Sequence, residues 1–473
     1  YLLGGRMSIK ILIKLFISIS ILLFSSISFS KEVVVRIVSK DLSADNELHQ
    51  QYVNIGVEAL KKQGINIKLE IVELTGGQSY KEKLPLAIMS GNIPDIIYDQ
   101  YGYDQVMADQ GILEDLTPYV AKSEYLQNAM WKHNKERLKN YPYLLRAHPP
   151  RIRIGTVRAD WLEKAGMNEP QTLDDYYKML KAFSESDFDG NGANDSFGLT
   201  MTGSTKRCDW IFNPAFGLGA TWESNNGGYS HRYISENQKE KFAFYNKLYE
   251  EGILDPEFIT DKWDVMEDKY YSGKAGMICG SIGLTMNVYQ GKMDNVQGEH
   301  TPILALKPPA DAFAPIDASK EGRGYMISAL SEVKDEAFAF LEYWASPEGL
   351  ITEKLGLPGV HHTVSNGNYT LTEKHPTHEP LFYEPNIPAP VETFVPAATQ
   401  SFNYASDLVT FDNKFAYPEE LQAQADSAEN IYREYSYKFI SGEIPLTDFD
   451  SYVETWLKSG GQDITDYANK VLK

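Results

Sequence analysis

The sequence is poor in cysteine, with only Cys208 and Cys279 among its 473 residues. A framework of several disulfides is therefore excluded, and the two cysteines either pair with each other or remain thiols. Cys279 ends the apolar run Ala275–Cys279, which is typical of a buried strand. We accordingly expect an inert, buried thiol at this position.

Basic residues are also few, since 45 lysines and arginines stand against 65 acidic residues and give a formal net charge of −20. Binding to the phosphates of nucleic acid requires clustered basic side chains, so a nucleic-acid partner is excluded. Hydrophobic residues make up 42% of the chain and aromatic residues 12%, which is typical of a folded protein. The length suits two or three domains of ordinary size.

Beyond the first thirty residues, the sequence has no apolar run long enough to form a transmembrane helix. Within them, Lys10 and Lys14 precede the apolar run Leu15–Phe24 and the small residues of Ser28–Ser30, as in a secretory signal peptide. We interpret residues 1–30 as a leader and signal peptide. No cysteine follows the expected cleavage site, so we expect an exported, periplasmic protein without a lipid anchor.

Short catalytic motifs are missing as well. The sequence has no Gly-x-Ser-x-Gly, no His-Glu-x-x-His, no phosphate-binding loop and no dinucleotide-binding glycine pattern after a strand. With 65 acidic residues, a carboxylate pair for glycoside hydrolysis stays an alternative. His361 and His362 could serve in acid–base chemistry or bind a metal, but a polar loop is the simpler explanation.

The chain after the leader begins with an alternation of strands and helices. Apolar strands are predicted at Val33–Val38, Ile65–Val72 and Asp95–Tyr98, with helical periodicity between them. This order, with continuously apolar strands, predicts a parallel sheet covered by helices. Because ligands of such sheets bind beyond the carboxyl ends of strands, the loops at Ser39 and Tyr101 are candidate binding loops.

The segment Asp187–Asp195, which reads Asp-Phe-Asp-Gly-Asn-Gly-Ala-Asn-Asp, crowds carboxylates around two glycines. Ca²⁺ collects about six to eight oxygen ligands, and the spacing matches the beginning of an EF-hand calcium loop. Where that loop ends in a bidentate glutamate, this chain has Gly198, so another group must complete the shell. The alternative is a polar turn without a metal. The expected calcium ligands are Asp187, Asp189, Asn191, the Ala193 carbonyl and Asp195.

Six segments, in their order along the chain, resemble the extracellular solute-binding proteins of bacterial ABC importers. They are Gly91–Asp95, Gly111–Pro118, Arg158–Leu162, Glu251–Pro256, Ser272–Met277 and Ser346–Gly349. The segment Asp187–Asp195 lies where some members, including alginate-oligosaccharide binders, carry a calcium loop. The resemblance implies an α/β, two-lobed periplasmic-binding-protein fold of type II, each lobe a mainly parallel sheet flanked by helices. It also implies a protein that is not an enzyme and that delivers its ligand to a membrane permease.

The resemblance further implies where each lobe begins and ends. Residues 31–150 with 297–350 would form the N-terminal lobe, and residues 151–296 with 351–473 the C-terminal lobe that carries the calcium loop. We expect a monomer whose interlobe cleft closes on the ligand by a hinge motion. Two alternatives stand beside this function: an exported calcium-dependent polysaccharide hydrolase or lyase, and a binding protein that serves a signalling receptor.

Aromatic and polar residues near strand ends are the candidate ligand groups, because sugar sites combine aromatic platforms with directional polar groups. Lys206 and Arg207 place positive charge beside Trp210, which favours a carboxylated sugar such as an alginate or glycosaminoglycan fragment. A solvated basic turn and a neutral oligosaccharide are the alternatives. Trp161 and Trp344 stand at helical core spacing and are predicted to be structural. The predicted ligand-binding residues are Trp210, Trp263, Tyr101, Ser281, Arg207 and Ser39.

Overall fold

The computed structural model describes residues 31–74, 78–225, 227–385 and 388–472, so the predicted signal peptide lies outside the described residues. Within them, no helix combines the length and the apolar composition that crossing a bilayer requires.

The strands are β1 (Val33–Val38), β2 (Ile67–Ile71), β3 (Ile96–Asp99), β4 (Arg153–Arg158), β5 (Phe197–Leu199), β6 (Trp222–Asn225), β7 (Gly228–His231), β8 (Ala275–Ser281), β9 (Ile303–Leu306), β10 (Gly324–Ile327), β11 (His362–Ser365) and β12 (Asn368–Leu371). The helices are α1 (Glu47–Lys62), α2 (Gln78–Met89), α3 (Asp104–Asp109), α4 (Thr117–Lys122), α5 (Glu124–Ala129), α6 (Lys132–Asn140), α7 (Ala159–Lys164), α8 (Leu173–Glu185), α9 (Lys206–Phe212), α10 (Glu236–Glu250), α11 (Trp263–Tyr271), α12 (Leu284–Gln297), α13 (Lys334–Tyr343), α14 (Pro347–Leu355), α15 (Pro396–Leu408), α16 (Gln422–Ile440), α17 (Phe449–Trp456) and α18 (Gln462–Val471).

The first compact unit combines the described part of Tyr1–Leu126 with Arg323–Tyr383. Its sheet has the strand order β10-β3-β1-β2. Strand β1 pairs in parallel with both β2 and β3, and β10 runs antiparallel to β3. The parallel arrangement predicted from the alternation of strands and helices is confirmed for these first three strands.

Helix α1 approaches the end of α13 closely at Gly56. A Cβ atom at this position would lie 3.0 Å from the Trp344 ring, a tight contact that a larger residue would accommodate only if the ring shifted. Trp344 is fully buried and stacks on Phe382, with ring centres 4.7 Å apart. Trp161 is likewise fully buried, in the core of the second unit. Both tryptophans are structural, as predicted.

The second compact unit combines Gln127–Gly322 with Glu384–Lys473. Its main sheet has the order β5-β8-β4-β9, in which β5 and β8 are parallel but β4 is antiparallel to both β8 and β9. The expectation of a mainly parallel sheet in each lobe is therefore wrong for this unit. Continuous apolar strands show that both faces of a sheet are covered, and a mixed sheet covered by helices satisfies that condition equally.

The unit boundaries, at residues 126, 322 and 383, differ from the positions near 150, 297 and 350 that the sequence suggested. Strand β9 follows residue 297 yet pairs with β4, which places this segment in the second unit. Glu353 follows residue 350 yet accepts a hydrogen bond from Tyr52 of the first unit. Non-local pairing therefore decides where the chain changes unit.

Candidate functional site

Helix α9 of the second unit carries two of the predicted ligand residues, Arg207 and Trp210. Residues three apart lie on the same side of a helix, so α9 presents Arg207 and Trp210 on one side. The buried face of this helix is formed by Cys208, Ile211 and Phe212. Trp210 is half-buried against a neighbouring apolar cluster. The helix is thereby fixed through its core face while Arg207 and Trp210 stay partly accessible.

A disulfide joins Cys208 of α9 to Cys279 of β8, with Cα atoms 5.3 Å apart. Both residues are fully buried. The expectation of an inert thiol at Cys279 is therefore wrong. Cys279 does lie in a buried strand, but α9 crosses that strand within the Cα separation that a disulfide spans. The bridge ties the helix that carries Arg207 to the central part of the sheet.

Ser281, the last residue of β8, lies directly opposite Arg153 of β4 in the antiparallel register. The Arg153 guanidinium donates a hydrogen bond to the Ser281 hydroxyl. The backbone N–H of Ser281 donates to the Tyr289 hydroxyl at 3.1 Å. Arg153 was missed at the sequence level because its partner follows only from the pairing of two strands 128 residues apart.

The two basic residues at the start of α9 differ in their partners. Lys206 forms an ion pair of 2.5 Å with Glu429, so its charge is already balanced locally. Arg207 instead donates to the backbone carbonyl of Cys279 at 3.4 Å. Among the described residues, no carboxylate lies within ion-pair distance of Arg207. Of this basic pair, Arg207 is the residue whose charge can act on a ligand.

Trp263 begins helix α11 and has 57% of its surface exposed. The Lys292 ammonium of α12 lies 6.0 Å from the centre of its ring. Tryptophan is enriched at binding interfaces, because its ring is apolar while its N–H can donate a hydrogen bond. No hydrogen bond or ring contact in the described residues joins Trp263 to Trp210, so its role as a ligand platform stays a prediction.

Ser39 and Tyr101 belong to the first unit, where they follow the neighbouring parallel strands β1 and β3. Ser39 is buried, and its hydroxyl accepts from the Asp41 N–H at 3.3 Å. The loop at Tyr101 is organised by Asp99, whose carboxylate accepts the N–H groups of Tyr101 at 2.9 Å and Asp104 at 2.9 Å. Burial raises the pKa of Asp99. Both residues thus lie beyond the carboxyl edge of one sheet, as the sequence predicted.

The loop Asp187–Asp195 connects α8 to β5 and is ordered by its own side chains. The Asp187 carboxylate accepts the N–H groups of Asn191 at 3.0 Å and of Gly192 at 2.9 Å. The Asn191 side-chain nitrogen donates to Asp189 and to Asp195, both at 2.9 Å. The other Asp195 oxygen pairs with Lys274 at 2.7 Å. Carboxylates therefore surround the Asn191 amide.

The donor set of this loop, carboxylates with amide and backbone oxygens, is the set that Ca²⁺ prefers. Among the described residues, however, no three acidic, histidine or cysteine side chains are placed so that they could hold a metal. A cation would require the Asn191 amide to turn, so that its oxygen replaces its nitrogen between Asp189 and Asp195. The oxygen chemistry thus fits Ca²⁺, and calcium binding stays a prediction.

Gly198, at the place where an EF-hand loop has its last glutamate, cannot carry a side chain. A Cβ atom there would lie 2.2 Å from the carbonyl oxygen of Leu180 in α8. Strand β5 therefore runs directly against the helix that precedes the loop. This close approach is the physical reason for the departure from the EF-hand pattern.

His361 and His362 are both buried rather than exposed in a polar loop. The His361 ring accepts the N–H of Leu357 at 2.9 Å, and burial lowers the pKa of this histidine. The His362 ring lies 3.2 Å from the carbonyl oxygen of Leu355. These contacts hold the chain after α14, and they explain the pair without catalysis or a metal.

The chain is similar in sequence to proteins of known family. The sequence profile described as bacterial extracellular solute-binding protein matches residues 46–351. The chain is 26% identical to lipoprotein LipO of Bacillus subtilis over 436 residues, 84% of each protein. It is 25% identical to the polygalacturonan/rhamnogalacturonan-binding protein YtcQ of the same organism over 429 residues, 83% of each protein.

Structural similarity extends over nearly the whole chain. A solved extracellular solute-binding protein from Bifidobacterium longum subsp. infantis superimposes with a TM-score of 0.68 at 18% identity, covering 93% of this chain and 97% of that one. At this level of identity the likeness concerns the fold, and it confirms the predicted type II periplasmic-binding-protein fold. The chain belongs to the bacterial extracellular solute-binding protein family, whose members bind solutes rather than transform them.

Proposed function

We propose that this protein captures oligosaccharides that contain uronate residues and delivers them to the permease of an ABC importer. The observation that carries the proposal is Arg207, a half-buried arginine on the same helix as Trp210 and without a carboxylate partner among the described residues. An aromatic ring receives the apolar face of a sugar, and a guanidinium binds a carboxylate through two hydrogen bonds. The named ligand of YtcQ, a polygalacturonan or rhamnogalacturonan, is of this acidic class.

A structural calcium ion in the loop Asp187–Asp195 forms part of the proposal. The side chains of Asp187, Asp189, Asn191 and Asp195 and the carbonyl of Ala193 would hold it. When bound, the ion would neutralise the mutual repulsion of the carboxylates and fix the end of α8 to the start of β5. It would take no part in binding the sugar.

Export belongs to the same proposal. The signal peptide at residues 1–30 would direct the chain to the periplasm, where it would act as a monomer between its sugar and the permease. The strongly negative net charge favours solubility at high concentration.

The proposal is tested by calorimetric titration of the protein from Lys31 onward with trigalacturonate, an alginate trisaccharide and neutral trisaccharides. We expect binding of an acidic sugar in the micromolar range or tighter, and chromatography of the bound fraction should return that sugar intact. A cleaved sugar would overturn the binding-protein assignment in favour of a hydrolase or lyase. Binding of neutral sugars alone would overturn the acidic specificity.

A further inference from the structure

In the second unit, strands β4 and β8 and helix α9 bring polar groups to one face of the main sheet. Residues that lie directly opposite in an antiparallel pair share a face, so Arg153 and Ser281 project together. Cys279 stands two residues before Ser281 on β8 and projects to that face as well. Its disulfide to Cys208 shows that α9 covers this face. Arg207 precedes Cys208 on α9, and its guanidinium donates a hydrogen bond to the Cys279 carbonyl.

Two guanidinium groups, of Arg153 and Arg207, are therefore held on one face of this sheet by their neighbours. Burial, and then the charge of Arg207, lower the pKa of Arg153 from its usual value. In the described parts of the chain, neither arginine has a carboxylate within 4.0 Å. Water screens the repulsion between the charges of exposed arginines. Arg153 and Arg207 are both half-buried, so their mutual repulsion is screened less.

We propose that Arg153 and Arg207 together bind one carboxylate group of an acidic sugar, while Ser281 orients Arg153 and Trp210 receives the adjoining ring. The proposal rests on the proposed function and specifies which side chains would recognise an acidic sugar. A carboxylate between the two guanidinium groups removes their mutual repulsion and accepts hydrogen bonds from both. Trp210, on the same helix face as Arg207, restricts the site to an anion that is attached to an apolar surface.

The hydrogen-bond donors that remain on the two arginines favour a planar carboxylate over a tetrahedral anion such as sulfate. One N–H of Arg153 already donates to the Ser281 hydroxyl, and one N–H of Arg207 donates to the Cys279 carbonyl. The remaining donors of the two forks are directional, and they suit the two oxygens of one planar carboxylate.

The experiment compares three arginine variants by calorimetric titration. Arg153→Met and Arg207→Met remove each charge and keep the length of the side chain, and Arg433→Met, at an exposed position of α16, is the matched control. Each protein is titrated with trigalacturonate and with its carboxyl-reduced, neutral counterpart. A further variant, Arg207→Lys, keeps the charge but loses the fork and provides a second, milder test if a methionine variant fails to fold. Inorganic sulfate serves as the competitor that carries charge without a ring.

We expect each methionine variant to bind trigalacturonate about ten- to a hundred-fold more weakly, with less than about a three-fold change for the neutral sugar. Arg207→Lys should fall between these values, Arg433→Met should match the original protein, and sulfate should compete only weakly. Unchanged trigalacturonate binding in both methionine variants, or competition by sulfate as strong as by trigalacturonate, would overturn the inference while leaving oligosaccharide capture intact. A protein that binds neither sugar would overturn the inference and the proposed function together.

Discussion

Tyr52 donates a hydrogen bond of 2.8 Å to the carboxyl group of Glu353, and both side chains are buried in the first compact unit. The other carboxyl oxygen accepts the backbone N–H groups of Phe382 and Tyr383, each at 3.2 Å. Burial raises the pKa of Glu353 to about 8, although these hydrogen bonds oppose the shift. An acidic side chain thus joins α1, α14 and the chain near residue 382.

Because folding raises the pKa of Glu353 above the unfolded value of about 4.5, the folded state holds this proton more tightly. Its contribution to stability is complete below about pH 4.5 and is lost as the pH rises from there to about pH 8. Glu353→Gln carries no titratable proton, so its unfolding free energy should fall less over this interval. Thermal unfolding between about pH 5 and about pH 8 measures the difference. The control is Glu348→Gln, at an exposed position of the same helix, and equal slopes for both variants would contradict the prediction.

Removal of calcium should destabilise the protein if the loop Asp187–Asp195 binds it. A ligand present at about a hundred times its Kd and bound only by the folded state adds about 2.7 kcal/mol to the free energy of unfolding. We expect the melting temperature to fall on chelation and to recover on addition of Ca²⁺. Asp187→Asn should abolish that recovery, and the exposed Asp311→Asn should retain it. A melting curve that chelation leaves unmoved would identify the loop as a metal-free turn.

Reduction of the Cys208–Cys279 bridge should weaken the second unit. The bridge closes a loop across 71 residues, and a disulfide of that span stabilises a protein by about 2–4 kcal/mol, chiefly by restricting the unfolded chain. Urea unfolding of the oxidised protein, the reduced protein and the Cys208→Ser, Cys279→Ser double variant measures this difference. The oxidised protein should unfold at the highest urea concentration. Identical curves for all three samples would argue against the bridge.

Gly198→Ala should destabilise the protein because the added methyl group would meet the Leu180 carbonyl oxygen at 2.2 Å. Relieving that clash requires α8 and β5 to separate, at a cost of about 1–3 kcal/mol. Gly219→Ala is the matched control, since no atom lies within 4 Å of the added group and its backbone is not left-handed. Chemical denaturation should therefore separate the two variants, and equal midpoints would show that the contact is easily relieved.

Local patterns predicted the beginning of the fold well. The strands found at Val33–Val38, Ile67–Ile71 and Ile96–Asp99 lie within about two residues of their predicted bounds, because apolar runs and helical spacing are properties of neighbouring residues. Strand direction in the second unit was not predictable in this way. Its pairings join β4 to β8 and β9, and a buried strand has the same apolar composition whether its neighbour runs parallel or antiparallel.

In the candidate site, too, the residues that stand close in sequence were predicted, and those that depend on long-range pairing were not. Arg207 and Trp210 were predicted because they stand close together in the sequence after a predicted strand, and the structure places both on one helix. Arg153 was missed, and the Cys208–Cys279 pairing was judged wrongly, because both depend on which strand and helix meet across the sheet. A basic residue at the start of a strand carries no local signal that a serine faces it from another strand.

The contact between Gly198 and the Leu180 backbone bears on what the acidic loop can do once filled. EF-hand sensors transmit calcium binding because their two flanking helices swing apart. Here the segment after the loop is a strand, anchored by the N–H of Phe197 to the Lys274 carbonyl at 2.8 Å and pressed onto the helix before the loop. The strand and the helix that flank the loop are therefore already packed against each other. An ion bound in this loop would therefore act as a permanent structural link between the helix and the strand. Changes in calcium concentration would not change the conformation of the rest of the chain.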